Sequence, residues 1–201
     1  MAPSGQTLYN LSIQYSISLD FMKWPTALRG PRPPGGRAGR AMPYIDRQTN
    51  QIVVRIVYDG PPEAGKTTNL RQLCASMPIH KRGELSSPDS AGRRTEFFDW
   101  LDFSGGLVDF RAVRCQLVSV PGQISLLRRR RFLLEAADAV VFVVDSSPDA
   151  REDNVRALQA LREATAVVDG GIPVGIVLQA NKQDAPDAMK PNAVASALGM
   201  A

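Results

Sequence analysis

The chain has 201 residues, 44% hydrophobic and 22% charged, with a formal net charge of +4. This is enough for one medium-sized globular domain plus a tail, and it excludes a fibrous or low-complexity chain. No apolar run is long enough to cross a bilayer, no basic-then-apolar leader opens the chain, and the basic excess makes no case for a nucleic-acid partner. A cytoplasmic location is the expectation. The two cysteines, Cys74 and Cys115, lie in apolar patterns without metal-like spacing and read as buried thiols.

Residues 1–41 differ in character from the rest of the chain. The segment RGPRPPGGRAGRA at 29–41 is rich in Pro, Gly and Arg and cannot form a packed core. Two readings stay open: a disordered basic tail that touches a membrane or a partner, or an artefact of an upstream start, with translation beginning at Met42.

From residue 44 strand and helix signals alternate. Residues 51–58 form a β-rich run that ends before Gly60. Residues 66–77 carry Leu70, Leu73, Cys74 and Met77 at helical spacing, and Pro78 closes that helix. Strands are predicted at 96–103 and 110–120, with Gly105 and Gly106 as a hairpin-like link. A helix is predicted at 126–137. The run AVVFVVD at 139–145 predicts a strand buried on both faces. A helix at 151–168 turns Val155, Leu158 and Leu161 inward, a second buried strand covers 172–180, and a helix begins at 193–198. The alternation predicts an α/β fold with a mostly parallel sheet flanked by helices.

The stretch GPPEAGKTTN at 60–69 stands between the first strand and the first helix. The spacing GxxxxGK[ST] in that context is a phosphate loop. The helix start offers unpaired N–H groups and a positive dipole end to an anion. Donors come from Glu63, Ala64, Gly65, Lys66, Thr67 and Thr68; Lys66 adds a charge near the β- and γ-phosphates, and the Thr67 hydroxyl suits Mg²⁺. Pro61 and Pro62 cannot donate, but they precede that run and stiffen its entry. The Glu63 carboxylate would repel phosphate if turned inward, so it is expected outside.

After the last buried strand comes NKQD at 181–184. Asp184 can accept two hydrogen bonds, from N1–H and the 2-amino group of guanine; adenine would leave it unpaired. Asn181 can meet the base edge and the Lys182 stem can cover the ring. An ATPase or P-loop kinase is disfavoured by the same tetrapeptide.

On GPPEAGKTTNL, RRTEFFDWL (93–101), SVPGQ (119–123) and NKQD, the chain from Met42 onward resembles the Ras-like small GTPases, and more narrowly the bacterial gliding-motility (MglA) type. That resemblance implies a P-loop domain over 42–201 that switches between GTP and GDP with Mg²⁺. It implies that Thr95 joins Thr67 on the metal, that the Gly122 N–H meets the γ-phosphate, and that Gln123 orients the attacking water. Arg94 would supply transition-state charge, making Lys66, Arg94 and Gln123 the catalytic set. It also implies a roadblock-type GTPase-activating protein, and polarity or motility effectors at 84–103 and 122–131; slow hydrolysis is expected from Pro62, whose ring sits near the space that Gln123 or an incoming arginine must enter. The RRRR run at 128–131 reads as a solvated helix face, or else a docking patch.

Three departures stand out. Ser119 occupies the place where most Ras-like proteins hold Mg²⁺ with an aspartate. Pro62 stands where a glycine is usual. The sequence ends before the last strand and helix of such a domain, so a truncated domain is expected. A binding module with little hydrolysis and an incomplete chain that does not fold stably are the competing readings.

Overall fold

The computed structural model describes residues 43–85, 99–120, 127–166 and 173–200. Among these are β1 (Tyr44–Asp46), β2 (Gln51–Asp59), α1 (Lys66–Ser76), β3 (Asp99–Val108), β4 (Arg111–Ser119), α2 (Leu127–Glu135), β5 (Ala139–Asp145), α3 (Arg151–Ala164), β6 (Gly175–Asn181) and α4 (Pro191–Ala197). The expected tail and the site candidates Arg94, Thr95, Gly122 and Gln123 lie outside the described residues.

The strands form one sheet in the order β3-β4-β2-β5-β6, with β1 paired to β2. β2, β4, β5 and β6 run parallel, as predicted. β4 covers one edge of β2 from Ile52 to Tyr58. The other edge is shared by β1, antiparallel at its start, and β5, parallel from Ile56. Strand β1 carried too short a pattern to be read in advance.

The period of two along each strand splits the core between the faces. Val57, Val140, Phe142 and Val144 meet Leu158, Leu161 and Val194 of α3 and α4 on one face. Tyr58, Val143, Leu101 and Leu117 meet Leu70 and Cys74 of α1 on the other. This accounts for the apolar run of β5, which has no solvent face to keep polar. Burial pushes the Cys115 thiol up to about 11.

Three expectations need correcting. Gly105 and Gly106 do not link the strands; they lie inside β3, where the register with β4 shifts between Ser104 and Gly106. A Cβ at Gly105 would come within 2.7 Å of Cys115 Sγ, so close approach requires glycine at this bulge. The turn is Asp109 and Phe110, with φ of 48° and 61°, the backbone of a two-residue type I′ hairpin without its usual glycine. Val155 does not face inward but is exposed, while Leu158 and Leu161 are buried. β6 is not buried on both faces: Ile176 and Leu178 pack on the core, whereas Val177, pointing the other way, is exposed.

Candidate functional site

The segments at the carboxyl ends of β2, β5 and β6 are joined by hydrogen bonds at one edge of the sheet. They meet where the chain order reverses beside β2, the place where open α/β sheets bind ligands. The loop after β2 is held by contacts that leave no room for side chains. Gly60 has a φ of 146°, and a Cβ there would lie 2.0 Å from the Val143 carbonyl oxygen. Gly65 has a φ of 94°, and a Cβ there would lie 2.3 Å from Asn181 Nδ2. Pro62 and Glu63 are exposed, so the Glu63 carboxylate is outside as expected. Glu63 also adopts a φ of 60°, a sparsely populated backbone for a non-glycine residue.

Lys66 folds back inside the loop. Its Nζ donates to the carbonyls of Gly60 (3.0 Å) and Pro61 (2.7 Å), closing the loop into a ring. Burial pulls its ammonium below the ordinary lysine range; the Asp59 charge opposes this and Arg130 adds to it. Gly65 caps α1 without any side-chain hydrogen bond, so the helix start is not consumed by a cap. Thr67 donates its hydroxyl to Asp99 Oδ2 at 2.6 Å, and Thr68 is exposed.

The tetrapeptide after β6 reaches this loop. Asn181 Nδ2 donates to the Ala64 carbonyl at 2.7 Å, so its amide braces the loop rather than pointing only toward a base. Beneath it, Gln179 donates to Asn69 Oδ1 at 2.6 Å, and Asn69 donates to the Gly65 carbonyl at 3.0 Å. Lys182, at a φ of 58°, donates to Asp145 Oδ2 at 2.7 Å. Burial alone would raise the Asp145 carboxyl, but the Lys182 and Ser147 hydrogen bonds hold it below its usual value. Gln183 donates to Ser146 Oγ at 2.6 Å, which ties the turn to the end of β5, and Asp184 is exposed.

Several polar residues of the site have no part in the sequence-based reading. Asp59, only 1% exposed, accepts from Nε and Nη2 of Arg130 at 3.1 and 2.7 Å. The RRRR run is therefore not simply a solvated face: Arg131 is exposed and pairs with Glu135, but Arg130 is 16% exposed and tied to the root of the phosphate loop. Asp99 and Asp145 were also passed over. The available signal was the same for Asp59 and Asp145: an acid at the carboxyl end of an apolar strand.

Comparison with known proteins identifies the family. The model of the ADP-ribosylation factor (Arf) family matches residues 95–201. Mutual gliding-motility protein MglA of Myxococcus xanthus (strain DK1622) is 36% identical over 149 residues, which cover 74% of this chain and 76% of that protein. Among solved structures, the Arl6 (BBS3) small GTPase from Trypanosoma brucei, with the nucleotide analogue GppNp bound, matches with a TM-score of 0.52 at 23% identity, covering 74% of this chain and 78% of that one. That last likeness speaks for the fold. Among the described residues no helix is long and apolar enough to cross a membrane. With a closed phosphate loop, a braced NKQD turn and these relatives, the chain belongs to the Arf/Ras-like family of small GTPases.

Proposed function

We propose that residues 42–201 form a GTPase domain that binds GTP and GDP at these strand ends, hydrolyses GTP slowly to GDP and phosphate, and signals in cell polarity or motility. The observation that carries this reading is the Asn181–Ala64 hydrogen bond of 2.7 Å, which ties a guanine-type turn to a phosphate loop across 117 positions of sequence. Phosphate oxygens take the N–H groups at the start of α1 and the Lys66 ammonium, beside Gly60, Glu63, Ala64, Gly65, Thr67 and Thr68. Asp184 accepts from the guanine N1–H and 2-amino group, with Asn181 and Lys182 at the ring.

For hydrolysis, Gln123 orients a water for attack on the γ-phosphorus, and the bond to the β-bridging oxygen breaks as GDP leaves. The Gly122 N–H, Lys66 and Arg94 stabilise charge on the transferred group. The Thr67 hydroxyl, with a buried carboxylate 2.6 Å away, supplies hard oxygen donors of the kind Mg²⁺ takes, and Thr95 would complete the protein's share. Bound there, Mg²⁺ would neutralise phosphate charge. The relative's name supports a role in motility. To it we add a cytoplasmic location, a polarity role, a roadblock-type activating protein, and effectors at 84–103 and 122–131. The basic residues of 29–40 suit a peripheral contact with an anionic membrane.

Single-turnover hydrolysis by GTP-loaded protein tests the reading. Gln123→Leu and Arg94→Ala should each slow phosphate release by about tenfold or more while nucleotide stays bound. Unchanged rates in both variants would remove these residues from catalysis. A second reading, a nucleotide-binding module with little turnover, is favoured by Ser119, which is 3% exposed and brings no charge to the metal's usual position. Absence of phosphate release over hours from loaded, well-folded protein would favour it.

A further inference from the structure

Resting on the guanine-nucleotide reading above, we infer that Arg130 is a positioning residue of the phosphate site: it neutralises the buried Asp59 carboxylate and so leaves the Lys66 ammonium to the nucleotide's phosphates. Asp59 closes β2 immediately before the phosphate loop. It lies two residues after Val57 and opposite Phe142, and Val57 and Phe142 belong to one core cluster, so Asp59 projects to that face of the sheet. Arg130 and Leu134, four positions apart, share a face of α2, and Leu134 belongs to the same cluster. The packing that seats α2 on the sheet thus carries the guanidinium to the carboxylate.

The pair is closed at both points of the fork. Arg130 Nε donates to Asp59 Oδ1 at 3.1 Å, and Nη2 donates to Oδ2 at 2.7 Å. Two-point pairing of this kind fixes geometry as well as charge. The next residue, Gly60, offers the carbonyl that holds Lys66 Nζ at 3.0 Å, and Pro61 offers a second at 2.7 Å. A lysine ammonium has three N–H donors, so one is left for a phosphate oxygen. Both charges of the pair reach Lys66: Asp59 favours its charged form and Arg130 opposes it. Without Arg130, the bare carboxylate would compete for the remaining N–H and would repel the phosphates as well.

A purely mechanical role, in which the pair only ties α2 to β2, makes a different prediction. Disturbing the pair from either side would then weaken nucleotide binding alike, or leave it unchanged. If the charge matters, the two sides act in opposite directions. Arg130→Gln keeps a donor for Asp59 but removes the positive charge. Asp59→Asn keeps an acceptor for Arg130 but removes the negative one.

The test is calorimetry on full-length protein with Mg²⁺, titrating GDP and a GTP analogue that cannot be cleaved, with folding of each variant verified by a thermal melt. Arg130→Gln should weaken GDP binding by about tenfold or more, and the triphosphate analogue by a larger factor. Asp59→Asn should tighten both, the analogue most, by about threefold or more. Any other pair of signs in folded variants overturns the role of Arg130 and leaves the nucleotide site standing. Should Arg130→Gln fail to fold, Asp59→Asn decides alone, and binding no tighter than in the unmodified protein overturns the inference. An unmodified protein that binds neither GDP nor the analogue overturns the guanine reading and this inference with it.

Discussion

The two halves of the proposed site, the phosphate half after β2 and the base half after β6, are built by different means. Around the phosphate loop, backbone carbonyls are the partners: Gly60 lies against the Val143 carbonyl, and the Lys66 side chain donates to the carbonyls of Gly60 and Pro61. Around residues 181–184, side chain meets side chain across strand ends, as in Asp145 with Lys182 and Ser146 with Gln183. Backbone constraints tolerate almost no substitution, whereas partly exposed side-chain pairs contribute modestly and one at a time. Asn181 joins the two halves, and damage should grade from one to the other.

The largest effect is expected at Gly60. An alanine there must adopt a φ of 146° with its Cβ 2.0 Å from a carbonyl oxygen. Gly60→Ala should destabilise the domain by about 4 kcal/mol or more, or prevent folding, as read by denaturant melts. A near-normal melt would mean that the loop root is softer than its contacts imply.

Next comes Arg130→Ala. It strands the Asp59 carboxylate, whose side chain is 2% exposed, and should cost about 3–5 kcal/mol. Removing both partners should recover part of that loss, which a double-mutant cycle measures. If the double variant is no better than Arg130→Ala alone, the pair is not what the loss reports.

Much of the phosphate half was legible in the sequence because its constraints fall on glycines and one lysine within seven positions, where spacing alone records them. The sheet was legible because strands such as β5 have no solvent face and show it in composition. What escaped reading lies between distant segments. Asp59 and Arg130 are 71 positions apart, and Thr67 and Asp99 are 32 apart. No local pattern encodes such pairs. The β3–β4 hairpin was misplaced for a different reason: the glycines serve a bulge, while the turn uses Asp109 and Phe110 at positive φ. The glycine signal was real and pointed to close packing rather than to a reversal.

Asn181→Ala should fall between the extremes. It leaves the Ala64 carbonyl without its partner and should cost about 1–3 kcal/mol of stability. Nucleotide affinity should drop with it, by about tenfold or more, measured by calorimetry. Equal affinity would separate the two halves that this contact joins.

The smallest effect belongs to Asp145 and Lys182. The folded carboxyl lies below its ordinary value of 3.8, so this pair stabilises the protein at neutral pH. Its contribution is lost as pH falls from about 4 through the folded value. Because the Lys182 side chain is 40% exposed, solvent screens the pair and the change should be small. Stability measured between pH 6 and 3 should drop slightly less steeply in Lys182→Met than in the unmodified chain. Identical slopes would show that the pair positions the turn without stabilising it.

The account depends on one site that holds phosphates at α1 and reads guanine at Asp184. Competition calorimetry with Mg²⁺, titrating GDP into folded protein with and without excess ADP, tests it most directly. The account predicts heat for GDP that ADP does not suppress. No heat for GDP, or equal displacement by ADP, would contradict it.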